Sequence, residues 1–305
     1  MPITDAVVTL PGPWSHRTVS ANGTRYHIAE AGDGPLVLFL HGFPEFWWAW
    51  RHQLQSFPAA GYRTVAADLR GYGGSDHPPR GYDLPSLADD VAALIRALGE
   101  PDAVVVGHDW GGLAGWTCAV THAKVVRRLV AVSTPHPRRL RASVLRSFAQ
   151  FRASKQAFSY QTPWAPERRL RADDAAEVAR LLRSWAAPGW PDDDTAQTYR
   201  SAFQIGNTPF CALEYYRWVV RSLPRPDGLR YASAMARPID LPVLQIHGAA
   251  DPLVLPTTAQ GSGQFVTAPY RWRLLEGVGH FPHEEDPQRF DTTVLDWLSD
   301  PEPDR

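Results

Sequence analysis

The residues best suited to chemistry lie in Val104-Val105-Val106-Gly107-His108-Asp109-Trp110-Gly111-Gly112. A β-branched run ends in a small-x-Asp-x-small turn, and Leu113 to Val120 continues with helical character. Strand, sharp turn and helix in that order present one side chain at the end of a sheet, here the carboxylate of Asp109. Glycines at 107 and 111 permit a strained turn that larger residues two places either side of Asp109 would block. A carboxylate that attacks a saturated carbon forms an ester, which water hydrolyses through a tetrahedral oxyanion; a serine there would leave an inert ether. The expected substrate is an alkylating electrophile with a carbon-bound leaving group, such as an epoxide or an alkyl halide. The competing reading is a glycine-rich turn in which Asp109 only caps the next helix.

Three further stretches supply partners. Pro35 to Leu40 is an apolar run that enters His41-Gly42-Phe43-Pro44. A strand end there puts the backbone N–H of Phe43 at the same sheet edge as Asp109, and with the N–H of Trp110 it forms the expected oxyanion hole. Asp251 follows the strand-like Leu241 to Gly248, and His280 sits in the loop after a predicted strand over Tyr270 to Leu275. Chain order is then nucleophile, acid, histidine, with room for one helix and one strand between acid and base. His108 and His283 are the competing bases; His108 is expected to point away from the site and His283 to lie towards the last helix.

The elements that must position these residues alternate. His16–Ser20 and Thr24–Glu30 flank an Asn-Gly turn and predict a hairpin. Tyr62 to Ala67 and Leu129 to Ser133 read as strands, and Leu84 to Leu98 as a helix with one apolar side. Trp47, Trp48, Trp50, Leu54 and Phe57 form an aromatic stripe assigned to the core, and the Gly-rich loop from Asp68 to Asp76 is read as a structural turn. Strand and helix alternation predicts an α/β class with a mostly parallel central sheet flanked by helices. From about 138 to 237 the pattern is helical with almost no strand signal, so residues 1–137 and 238–305 read as the core domain and 138–237 as an inserted helical lid. Leu140, Val144, Leu145, Phe148 and Phe151 line one face of its first predicted helix, with arginines around the rest, a basic face expected to be solvated. Further helices are expected at 173–186, 194–204 and 211–221.

Composition sets the class. The chain has 305 residues, 44% hydrophobic and 21% charged, with a formal net charge of −1. That near-neutral balance gives no electrostatic case for nucleic acid or an anionic membrane, so neither is expected as a partner. Two cysteines, Cys118 and Cys211, are too few for a disulfide framework and read as buried thiols. No apolar run reaches membrane-spanning length and the start lacks a secretory pattern, so a cytoplasmic enzyme, monomer or homodimer, is expected. No cofactor or metal is expected.

With His-Gly-Phe-Pro at 41–44, Gly-His-Asp-Trp-Gly-Gly at 107–112, Asp251 and His280, the sequence resembles the epoxide hydrolase group of the α/β-hydrolase fold. The resemblance implies that Asp109 opens an epoxide and that His280, oriented by Asp251, activates water against the ester to give a vicinal diol. It also implies two lid tyrosines as proton donors to the opening oxygen. Tyr216 matches the second; counting back from Gln161-Thr162-Pro163 places Gln156 at the first, with Tyr160 one helical turn on. The rival readings are a haloalkane or haloacid dehalogenase using the same aspartate, and a non-catalytic ligand-binding homologue. The related haloalkane enzymes usually carry Asn at the position of Phe43, and the fluoroacetate enzymes Arg at that of Trp110.

Overall fold

The computed structural model describes residues 5–300, which hold one eight-stranded sheet in the order β1-β2-β4-β3-β5-β6-β7-β8. The strands are β1 (Ser15–Ala21), β2 (Thr24–Ala31), β3 (Leu36–Leu40), β4 (Arg63–Ala67), β5 (Ala103–His108), β6 (Val126–Val132), β7 (Val243–Gly248) and β8 (Tyr270–Leu275). The β1–β2 and β2–β4 pairs are antiparallel and all the others parallel. Asn22 and Gly23 both have positive φ, 47° and 69°, the turn whose twist suits a two-residue hairpin. Strands β3, β5 and β7 are buried along their whole length, as continuous apolar runs are when helices cover both faces.

The core helices are α1 (Gln53–Ala59), α2 (Leu84–Ala97) and α3 (Asp109–Thr121). Helix α2 starts where Asp83 accepts the N–H of Ser86, and it buries Leu84, Leu87, Val91, Leu94 and Ile95, the side expected from their spacing. Between β6 and β7 the chain is helical: α4 (Pro137–Arg146), α5 (Phe148–Ala153), α6 (Lys155–Ser159), α7 (Ala165–Trp185), α8 (Asp193–Phe203), α9 (Thr208–Arg221) and α10 (Pro226–Ala234). The chain closes with α11 (Pro256–Gln260), α12 (Pro282–Glu285) and α13 (Pro287–Ser299). Among the described residues no helix is long and apolar enough to cross a membrane. Cys118 and Cys211 are free and buried.

Three expectations change in detail. The aromatic stripe is split between a 3-10 turn, Trp47–Trp50, and α1; Trp48 is only half-buried, with the Arg51 guanidinium stacked on its ring. The first inserted helix is not continuous either. Ser147 takes an extended conformation and its side chain accepts the N–H of Gln150, so α4 stops and α5 begins with a new cap. That break turns Leu145 and Phe148 outward. Helix α7 starts earlier than expected and is interrupted at Ala172–Ala175, where Asp173, Asp174 and Ala175 have positive φ.

The turn from β5 into α3 is strained. Asp109 has φ 45°, a region that non-glycine residues rarely occupy. A Cβ on Gly107 would stand 2.3 Å from the carbonyl oxygen of Gly111, and one on Gly111 2.3 Å from that of Leu40. Gly111→Ala is therefore expected to destabilise the fold by roughly 1–3 kcal/mol in urea denaturation, as an overpacked core position does. An unchanged midpoint would mean that the turn relaxes more easily than its contacts indicate.

Candidate active site

Parallel register brings the functional loops to one sheet edge. Leu40 pairs with Gly107, so the loops after β3 and β5 leave side by side, and β6 aligns Val132 with both His108 and Ile246. Asp109 lies just past β5, Asp251 just past β7 and His280 five residues past β8. Asp251 and His280 are buried, and Asp109 is half-buried where it faces the cavity.

Asp109 is held from several directions. The Phe43 N–H donates to its Oδ2 at 3.2 Å, and the Thr134 hydroxyl donates to its backbone oxygen at 3.0 Å. Trp110 is the second residue of α3, so its N–H is one of the amides that a helix start leaves without an intrahelical acceptor. Burial pushes the Asp109 carboxyl above its ordinary range, opposed by the positive field of His280 and His108 and by the Phe43 amide.

His280 Nδ1 lies 2.8 Å from Asp251 Oδ2, while Asp251 Oδ1 accepts the N–H groups of Leu253 and Val254. Nδ1 therefore donates to the carboxylate. Nε2 has no protein partner among the described residues, and His280 lines the cavity that also exposes Asp109. Burial disfavours the imidazolium, but the charge and hydrogen bond of Asp251, with Asp109 adding, outweigh it and raise His280 to about 9.

Both competing histidines are engaged elsewhere. His108 Nδ1 is 2.7 Å from Glu45 Oε2 and its Nε2 is 2.9 Å from the carbonyl oxygen of His280. His283 Nε2 is 3.1 Å from Glu45 Oε1. Glu45 also accepts the Gly42 N–H, and the two histidines hold its carboxyl well below the ordinary range in spite of burial. Glu45, His108 and His283 are spaced as metal ligands could be, but three of their four ring nitrogens and both carboxylate oxygens are already hydrogen-bonded. They fit a buried hydrogen-bond network better than a metal centre.

The cavity holds about 390 Å³ and its wall is mostly apolar, with Leu113, Trp185 and Met235 among its residues. Tyr216 and Gln156 are on that wall; Tyr160 is fully buried and off it. Tyr215 anchors α9 to the core by donating to the carbonyl oxygen of Arg70 at 2.7 Å, which leaves the next residue, Tyr216, turned to the cavity. The Tyr216 ring packs edge-on to Trp110 at 4.8 Å and to Phe43 at 5.5 Å between centroids, so it sits over both residues. Burial and the Asp109 charge push its hydroxyl well above the ordinary tyrosine value. Tyr160 lies 5.0 Å from Tyr216 between ring centroids, its hydroxyl is hydrogen-bonded by the Gln156 amide, and burial raises it to about 12.

The comparisons agree with this geometry. Residues 35–287 match the alpha/beta hydrolase fold family. Epoxide hydrolase 3 of Xenopus tropicalis is 34% identical over 291 residues, covering 92% of this chain and 76% of that protein. The chain belongs to the epoxide hydrolase group of the α/β-hydrolase fold. Epoxide hydrolase A of Mycobacterium tuberculosis is 29% identical over 94% of this chain and 98% of its own length. A crystal structure of a Bacillus megaterium epoxide hydrolase with an inhibitor superposes with a TM-score of 0.82 at 28% identity, over 92% of this chain and 99% of that one.

Sequence reasoning missed a set of acids that holds this epoxide hydrolase-type site in place. Glu285 Oε2 accepts the N–H groups of Gly279 and Ala187, and its Oε1 that of Phe281, all at 2.8 Å. The carbonyl oxygen of Trp185 accepts the His280 N–H at 2.9 Å. Glu285 thus ties the end of α7 to both neighbours of His280. Next to it, Glu284 accepts the Tyr199 hydroxyl at 2.5 Å and an Arg51 N–H, joining α8 to the core. The only sequence signal was Glu284-Glu285 at a helix start, which reads equally well as a solvated pair. Glu285→Ala is expected to cost about 1–3 kcal/mol in chemical denaturation, since three amides lose their acceptor, and Glu285→Gln less because one oxygen remains. Equal losses in the two variants would mean that the amides find other acceptors.

Proposed function

We propose that the chain hydrolyses lipophilic epoxides to vicinal diols through an ester on Asp109. The observation that carries this reading is the Asp109 carboxylate on the wall of an apolar cavity shared with Tyr216 and His280, its Oδ2 taking the Phe43 N–H at 3.2 Å. Solved and curated relatives that are epoxide hydrolases support it.

In this reading the segment between β6 and β7 is a lid over the site. The free oxygen of Asp109 attacks an epoxide carbon, the carbon–oxygen bond opens, and Tyr216 hydrogen-bonds and protonates the leaving oxygen. Gln156 and Tyr160 assist as a unit: Gln156 meets the substrate from the wall, and its amide orients the Tyr160 hydroxyl. His280, held by Asp251, then takes a proton from water as it attacks the Asp109 ester, and the N–H groups of Phe43 and Trp110 receive the oxyanion.

The charge arrangement times the second step. While Asp109 is an anion it helps to hold His280 protonated. Esterification removes that anion, so the His280 pKa falls and the neutral base becomes available when hydrolysis requires it. The hydrolysis rate is expected to climb with pH and level off at a pKa below about 9, read in single-turnover experiments across a pH series. Asp251→Asn should shift that rise to lower pH while slowing the step; a pH-independent hydrolysis would exclude His280 as the base.

The decisive experiment is a panel of aryl and alkyl epoxides beside haloalkanes and fluoroacetate, scored for diol and halide, with Asp109→Ala as control. Diol formation abolished in Asp109→Ala, together with a stalled ester seen by intact mass in His280→Gln, is the expected result. Halide release, or no adduct in His280→Gln, would overturn it. Tyr216→Phe should slow ester formation about 10²-fold, the usual size for one acid catalyst. A larger loss for Tyr160→Phe would move the principal donor to Tyr160.

A further inference from the structure

The near-neutral total charge conceals a strong asymmetry. Residues 138–171 contain nine arginines and lysines and one acid, Glu167, while the whole chain stands at −1, so the remainder carries −9. Glu167 is already paired with Arg217. Arg141, Arg146, Arg152, Lys155 and Arg168 have no carboxylate partner among the described residues, in contrast to Arg169, which pairs with Glu177. The same segment bears the largest exposed apolar side chains: Phe148 is 80% exposed, Trp164 77% and Leu145 71%, with Phe151 and Phe158 packed together beside them. Leu145, Phe151 and Phe158 also line the cavity, so this surface surrounds its mouth.

We infer that α4 to α6 and the start of α7 dock on an anionic lipid bilayer, placing the cavity mouth at the membrane surface. Short amphipathic helices with arginine and lysine interleaved with Phe, Leu and Trp bind in the headgroup region through apolar insertion and attraction to anionic lipid. A second copy of the chain fits less well, since an isologous contact would set this cationic face against its own like charges. A substrate held in the cavity does not account for the surface, because Phe148, Trp164, Arg146, Arg152 and Lys155 are not on the cavity wall. For a bilayer-dissolved epoxide, the arrangement provides entry without passage through water; that consequence rests on the epoxide hydrolase reading, whereas the docking does not.

The test is co-flotation of the full chain with phosphatidylglycerol-rich vesicles and with phosphatidylcholine vesicles. Binding to the anionic vesicles alone, weakened by salt, is expected. Arg146→Glu/Arg152→Glu should reduce it about tenfold or more, at roughly the loss expected for removing basic contacts from an anionic surface. Phe148→Ser/Trp164→Ser, with every charge kept, should also weaken it, which separates insertion from plain attraction. Both variants should turn over a small water-soluble epoxide at the wild-type rate, and Asp109→Ala should float as wild type does, so failure of docking and failure of the catalytic reading are distinguishable. No flotation with anionic vesicles, flotation unchanged in the charge variant, or equal flotation on both vesicle types would overturn the proposal. So would a dimer in light scattering that the same substitutions dissociate.

Discussion

The left-handed backbone at Asp109 is the constraint on which the rest of the site depends. An aspartate at φ 45° stays there only if its surroundings leave it no alternative. Gly107 and Gly111 are pressed against each other and against the end of β3, the Gly111 N–H is taken by the His41 carbonyl, and Thr134 bonds the Asp109 oxygen. Each contact comes from a different strand end. Relaxing the turn would require β3, β5 and β6 to shift together, and the buried strands of a close-packed sheet resist that. The carboxylate is thereby fixed in a position that its own backbone preference would not choose.

With Asp109 fixed, His280 must be fixed to match, and the chain does this through the backbone on both sides of it. Its carbonyl faces His108, its N–H donates to Trp185, and Glu285 binds the amides of Gly279 and Phe281. Only the imidazole is left for Asp251 and the cavity. A loop clamped by backbone bonds cannot trade ring position for flexibility, so Nε2 meets the cavity without reorganising. The second acid network, Glu45 with His108 and His283, lies directly behind this loop. Because His108 touches both Glu45 and the His280 carbonyl, charge at Glu45 bears on His280 through a single ring.

The sheet, the hairpin, the elbow and the Asp251–His280 pairing were legible in the sequence because each depends on local signals in a fixed chain order. Apolar runs of strand length, Asn-Gly, and small residues two places from an aspartate have few alternative meanings. Glu45, Glu284 and Glu285 were not legible, since an acid satisfied by main-chain amides in a distant loop looks the same as one satisfied by water. The expected continuous helix over Leu140 to Phe151 failed for a related reason: its periodicity is sound, but Ser147 competes as a cap and periodicity does not weigh that competition. Gln156 and Tyr160 stand one helical turn apart in sequence, and spacing alone does not reveal that their side chains are joined by a hydrogen bond.

The broken helix also places together side chains that a total charge does not reveal. A continuous α4 could have turned Leu145, Phe148 and Phe151 towards one neighbour and left the arginines to solvent. The break sends these apolar side chains to the surface that carries the cations, and two of them, Leu145 and Phe151, continue inward as cavity wall. Mostly apolar wall thus lies between these exposed side chains and Asp109. In the proposed reaction the substrate is less polar than its product, because ring opening exchanges one ether oxygen for two hydroxyls. An epoxide gains by entering along such a wall, and a diol, whose hydroxyls are costly to bury without partners, gains by leaving it for water. The same surface therefore favours entry of the substrate and departure of the product, with no moving part required for the distinction.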